Sequence, residues 1–377
     1  MGRLKQIENL GVTFAQIFIV VFLLFTFFNN AFELPYNRKI PAGLAILSIV
    51  SMYPTWIKKR TIIPVIMGVL TIFYAMYWGF SYERLWYMNR DLYSSIIAVT
   101  IGFLLINSRV SRWTFYIPVT IIFITVLFSA PVLKEPIRGS NFYGINRNVL
   151  AKYVFTFAIL NTIKDGIDSI RYPHIAPPVF SSVVAWYSQS RAGLILSILL
   201  VLLVMGTIGV RIIQNRQPSS QNNFFTKKSM FIILAVFLLI LISFFIYDSR
   251  IVESGLDSNG RMSIIRSFFE ELTFTKFLTG FKPTAIEPYY SLHNSILDLV
   301  ASSGVSAFIM FGLVIGGWFR LKGKSLLLSI LLVLLVIYAQ VEHYIFIRMG
   351  DLALYPLIMY AYKDFTFPKL KRKASTS

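Results

Sequence analysis

Residues 194–213 read LILSILLVLLVMGTIGVRII, twenty positions whose one charged side chain is Arg211, near the far end. A helix of that length rises about 30 Å, the thickness of the hydrocarbon core of a bilayer. Comparable stretches recur along the chain. Residues 13–28, 40–57, 62–80, 92–106, 115–130, 149–163, 175–187, 230–247, 296–319, 326–339 and 349–362 are also predominantly apolar. Together they predict an all-α, polytopic membrane fold of about twelve spanning helices. The seventh, with Pro177 and Pro178 near its start, and the eleventh are short, which leaves the count open by one or two. Residues 1–247 then carry the first nine helices and 248–293 a long loop. Residues 294–377 carry the last three helices and a basic tail.

Composition agrees with a bilayer setting. Of 377 residues, 56% are hydrophobic and only 14% charged, with a mean hydropathy of +0.67. Soluble domains carry about 25% charged residues. Lys and Arg number 36 against 17 acids, a net charge of +19. In a soluble protein that balance would suggest nucleic acid, but the apolar runs leave no basic domain to hold one. There is no cysteine, so disulfides and thiolate metal sites are excluded. Residues 1–10 are polar and lead into the first apolar stretch without a small-residue cleavage site, which predicts a retained first helix rather than a signal peptide.

The basic residues also predict an orientation. With both termini placed in the cytoplasm, the inside segments hold 21 basic residues and four acids, so nearly all of the excess positive charge lies on one side. That asymmetry is what the positive-inside rule requires. The charge that resembles a nucleic-acid footprint is therefore a topology signal.

One connection is long. Between the ninth and tenth stretches lie about forty-five residues on the outer side, well above an ordinary loop. Within them Met262, Ile265, Phe268, Phe269 and Leu272 recur at helical spacing, with Arg266, Ser267, Glu270 and Glu271 on or beside the other face. Ser258 or Asn259 is placed to cap such a helix. An amphipathic helix in the membrane interface and a helix packed on the ends of the spans both fit this pattern.

Residues fit for chemistry gather on the same outer side. The tight turn Ser188-Gln189-Ser190-Arg191-Ala192-Gly193 holds Arg191 at or just below the interface. There a guanidinium either meets an anionic partner in a polar cavity or snorkels to lipid headgroups. Asn259-Gly260-Arg261 opens the amphipathic helix, and Tyr289-Tyr290-Ser291-Leu292-His293-Asn294-Ser295 leads into the tenth span. His293 is one of three histidines. His174 falls in an inner loop and His343 in the last outer loop, where structural roles are expected. On spacing alone His293 could equally cap its helix. Two guanidinium groups at a water-poor edge bind phosphate oxygens bidentately and stabilise the charge growing on a departing diphosphate. A neutral imidazole beside them can take the proton from an attacking sugar hydroxyl. The chain has no Asp-x-Asp, no His-Glu-x-x-His and no Gly-x-x-x-x-Gly-Lys-Ser/Thr, and the outer acids lack metal-ligand spacing. Metal-dependent nucleotide-sugar transfer, zinc proteolysis and ATP hydrolysis lose support, and neither a metal nor a cofactor is expected.

The order of these features resembles the O-antigen ligase and polymerase family of bacterial envelope enzymes. The resemblance lies in residues 188–193, 259–261 with the helix through Leu272, Leu278-Thr279-Gly280-Phe281, and 293–297 through Gly304. A looser likeness covers residues 141–151, NFYGINRNVLA, although Arg147 stands where family members often have Pro or Lys between the asparagines. It implies a GT-C-like fold in the bacterial inner membrane and a metal-independent, inverting glycosyltransferase acting on the periplasmic or exterior side. The implied donor is an undecaprenyl-diphosphate-linked glycan and the acceptor a sugar hydroxyl, with a flippase and a chain-length regulator as candidate partners. By position, Arg191 and Arg261 would bind the diphosphate and His293 would activate the acceptor. Arg147, Asn148, Ser190 and Asn294 would line the cavity, and Tyr289 and Tyr290 would either stack on sugar faces there or serve as structural aromatics of the membrane interface. The expectation is a surface-polysaccharide polymerase of O-antigen or capsule type. The alternative is a ligase moving the finished glycan to lipid A–core, and a secondary transporter is more distant, because the spans hold few ionisable groups.

Overall fold

A computed structural model describes residues 2–31, 47, 98–106, 110–133, 146–214, 261–281, 294–342, 344–345 and 350–364. Every regular element among them is helical: α1 (Gly2–Ala31), α2 (Trp113–Leu133), α3 (Arg147–Ile167), α4 (Ala176–Tyr187), α5 (Arg191–Gln214), α6 (Arg261–Glu271), α7 (Phe274–Thr279), α8 (Ser295–Ser303), α9 (Ala307–Lys324), α10 (Leu326–Val341) and α11 (Asp351–Ala361). Residues 98–106 are helical as well. The all-α class is as the sequence predicts. The expected spans at 62–80 and 230–247 lie outside the described residues, as does that at 40–57 apart from Leu47.

Among the described residues two helices, through Asn9–Phe28 in α1 and Arg191–Ile212 in α5, are long and apolar enough to cross a membrane. The others are shorter or more interrupted. α4 has 12 residues and α11 has 11, rises of about 18 Å and about 17 Å. The tenth apolar stretch, read as one helix over 296–319, is broken instead. α8 ends at Ser303, a single 3-10 turn covers Gly304–Ser306, and α9 begins at Ala307. The cause is Gly304, whose φ is +56° and which is approached so closely by the Leu278 carbonyl and the Gly280 amide that a Cβ would collide with both.

α3 is the central post. It packs against α2, α4, α5, α10 and α11, and Leu150, Val154, Phe155, Phe157, Ala158, Leu160 and Ile163 along it are fully buried. Its two ends define the two ends of the bundle. Around its N-terminus gather the end of α4, the start of α5 and the end of α10. Around its C-terminus gather the starts of α2 and α10 and the segment before α4. Outward-facing positions remain apolar: Ile195, Leu199, Leu202 and Val210 on α5 are exposed, as are Phe14, Ile17 and Val21 on α1.

The amphipathic helix is α6, and its buried face differs from the expected one. Ile264 and Phe268 are buried against Ala301, with Leu272, Phe281, Leu297 and Val300 packed around them. Phe269 points away and is 58% exposed. The stripe through Ile264 and Phe268 lies about 100° around the helix from that through Ile265 and Phe269, and contact with α8 buries the first. α7 then turns back at Gly280, and the Phe281 amide donates to the Ala301 carbonyl at 2.6 Å. The stretches around Gly280 and Gly304 thus meet through their backbones.

Candidate functional site

The Ser188–Gly193 turn is built position by position. α4 closes with paired hydrogen bonds, from the Ser190 amide to the Ala185 carbonyl and from the Gln189 amide to the Trp186 carbonyl. That 6→1 and 5→2 pattern needs a left-handed residue between them, and Gln189 supplies it at φ +54°. A non-glycine residue there costs about 1–2 kcal/mol, and Gln189 Nε2 donates back to the Trp186 carbonyl at 3.2 Å. Ser188 is fully buried with its Oγ donating to the Ala185 carbonyl. Ser190 then caps α5, its Oγ accepting from the Gly193 amide. Arg191 follows as the first residue of α5 and is half-buried. Gly193 is required by proximity: a Cβ there would lie 2.6 Å from the Ala151 Cβ and 3.0 Å from the Ser190 Oγ.

The same turn is tied to α3. The Ser190 Oγ donates to the Asn148 Oδ1 at 3.1 Å, while Asn146 caps α3 by accepting from the Asn148 amide. The sequence places Arg191, Ser190 and Asn148 in one candidate cavity, and Ser190 and Asn148 are in direct contact. Arg147 opens α3 at this end and Arg261 opens α6.

Asn294 and Ser295 start α8. The Asn294 Oδ1 accepts from the Ile296 and Leu297 amides, and its Nδ2 donates to the Gln340 Oε1 at 3.1 Å. The Ser295 Oγ accepts from the Tyr344 amide at 2.7 Å and donates to the Glu342 carbonyl at 3.0 Å. The capping role that spacing alone allowed His293 belongs to Asn294. His293, Tyr289 and Tyr290 lie outside the described residues, as does His343.

A buried ion pair joins these two groups. Lys152, one turn beyond Asn148 on α3, meets Glu342 at the end of α10 with Nζ to Oε2 at 2.8 Å. The Glu342 side chain is 4% exposed and that of Lys152 16%. Sequence reasoning passed over both. Lys152 stands alone among apolar residues in the sixth stretch, and an ionisable group in such a place is itself a functional signal. Its partner, 190 positions away, had none. Beneath the pair the Tyr344 hydroxyl shares a hydrogen bond with the Thr156 Oγ1 at 2.6 Å, and its ring stacks on Tyr338 with centroids 4.2 Å apart. Burial pushes the Tyr344 phenol up, well beyond its ordinary range, so it stays a neutral hydrogen-bonding group.

The opposite end accounts for His174. Its Nδ1 lies 2.9 Å from the Asp165 Oδ2, its amide donates to the same oxygen at 2.7 Å, and its Nε2 lies 2.8 Å from Arg112 NH1. Since a guanidinium only donates, Nε2 accepts, and Nδ1–H donates to the buried Asp165 carboxylate. Arg211 donates nearby to the Ile170 carbonyl. This cluster packs the connection between α3 and α4. Among the described residues no three His, Asp or Glu side chains gather as a metal-holding group.

A comparison of the chain with protein-family models, with curated proteins and with solved structures finds no match.

Proposed function

We propose that the protein is a multi-pass membrane glycosyltransferase of the bacterial inner membrane. In this reading it is a polysaccharide polymerase that transfers an undecaprenyl-diphosphate-linked glycan to a sugar hydroxyl on the outer side. The observation that carries the proposal is convergence. The Ser188–Gly193 turn, the asparagine-rich start of α3 and the start of α8 are far apart in sequence, yet they meet at one end of the helix bundle through the Ser190–Asn148 hydrogen bond and the Lys152–Glu342 pair. These are the stretches in which the sequence resembles the O-antigen ligase and polymerase family. The apolar residues exposed along α1 and α5 support a bilayer around the bundle.

In the proposed reaction the acceptor hydroxyl oxygen attacks the anomeric carbon of the donor sugar from the face opposite the diphosphate. The new C–O bond forms as the bond to the diphosphate oxygen breaks, which inverts the configuration. Arg191 and Arg261 hold the departing diphosphate through charge-assisted hydrogen bonds, and the hydroxyl proton passes to His293. Asn148 and Ser190 hold the turn from which Arg191 extends.

Deleting the gene and resolving the surface polysaccharide on a gel tests this. A polymerase loss leaves single repeats on their anchor. Long chains stranded on the carrier lipid would transfer the assignment to a ligase, and an unchanged profile would refute both.

A further inference from the structure

The Lys152–Glu342 pair has no role in the proposed chemistry, yet it sits where the two halves of the site join. On one side, α3 carries Lys152 and, one turn earlier, Asn148, which accepts the hydrogen bond from Ser190 next to Arg191. On the other side, the Glu342 carbonyl accepts from Ser295, two residues after His293. Glu342 therefore grips α3 with its carboxylate and α8 with its backbone. An unbroken path of bonded groups runs from the residue beside Arg191 to the start of α8.

Stability alone is a poor reason for such a pair. Desolvating two charges offsets most of their attraction, and well-packed apolar replacements of a buried pair are often neutral or stabilising. The best-attested use of a buried pair is to fix register. We infer that Lys152 and Glu342 are positioning residues that set the spacing between the diphosphate-binding end of α5 and the acceptor-activating start of α8. The catalytic consequence rests on the proposed transfer reaction, whereas the clamp itself does not.

The double variant Lys152→Met/Glu342→Leu separates a clamp from a stabilising pair. It is expected to fold with an unchanged or higher Tm, since both charges of the pair are removed together. Its kcat for transfer should fall about 100-fold while KM stays nearly unchanged, because a displacement of about 1 Å is enough for that loss. The charge-exchanged Lys152→Glu/Glu342→Lys should recover much of it and serves in place of the first variant if that one misfolds. The chain has no cysteine, so nitroxides at Val149→Cys and Val305→Cys, both exposed, give a second readout by EPR that needs no activity. The distance distribution between the start of α3 and the turn that follows α8 should broaden in the apolar variant and narrow again on charge exchange. Wild-type kcat together with an unchanged distribution in the apolar variant would overturn the clamp. Full transfer by Arg191→Ala would instead sink the proposed reaction, with the EPR distances still deciding the clamp.

Discussion

Gly193 and His174 show how a single residue is read differently in a sequence and in a structure. Gly193 belongs to a motif that resemblance ties to catalysis, but its immediate task is packing: it lets the first turn of α5 lie against Ala151 of α3. Gly193→Ala forces a contact that must give, and overpacking of this kind costs about 1–3 kcal/mol. A lowered Tm with transfer lost is expected, and a variant with unchanged Tm and activity would show that the approach is looser. His174 was expected to be structural from its place in an inner loop, and it is held between Asp165 and Arg112 at the end remote from Ser190. His174→Ala deprives the buried Asp165 of its ring partner and should cost about 1–3 kcal/mol of stability, read as a lower Tm. Glycan transfer in membranes should persist. The exposed Lys324–Asp364 pair at the same end is a contrast: Lys324 holds the Asp364 carboxyl below its usual range, but so open a pair adds little.

At the level of elements, the sequence was most legible where apolar periodicity was long and unbroken. α2, α3, α5 and α10 fall within a few residues of the stretches that predicted them. Legibility failed where long-range contact decided. Nothing local marks Gly304 as a break, because its left-handed conformation answers a carbonyl from α7 that lies some twenty-five residues earlier in the chain. The face of α6 was likewise set by α8 and not by its own pattern, in which Phe268 and Phe269 compete. Lys152 was visible as a charge among apolar residues, but Glu342 needed the fold. Gly304→Ala should therefore loosen α6 and α7 from α8 while leaving the α3–α5 bundle intact. Hydrogen exchange should rise over 261–281 and stay unchanged over 150–165. Equal protection of both segments in variant and wild type would show that the α7–Gly304 contact does not hold α6 in place.

The whole molecule turns on the two ends of α3, about 31 Å apart for its 21 residues. Among the described residues Lys164, Arg112 and Arg211 lie at one of these ends, and the candidate site lies at the other. If the bundle crosses the bilayer as proposed, these ends face different compartments. Val149 and Tyr172 are exposed at opposite ends, and in a cysteine-free chain each can be labelled alone. A membrane-impermeant maleimide on intact spheroplasts should modify Val149→Cys at once and Tyr172→Cys only after permeabilisation. The reverse order would invert the topology and place the site on the cytoplasmic side. The central claim is chemical, and one measurement bears on it most directly: transfer between defined undecaprenyl-diphosphate oligosaccharides by the purified protein in EDTA, for wild type, Arg191→Ala and His293→Ala. Wild type should give longer glycan and neither variant any above background, each folded as judged by Tm. Wild-type transfer that persists undiminished in Arg191→Ala and His293→Ala, or that appears only when a divalent metal is restored, would contradict it.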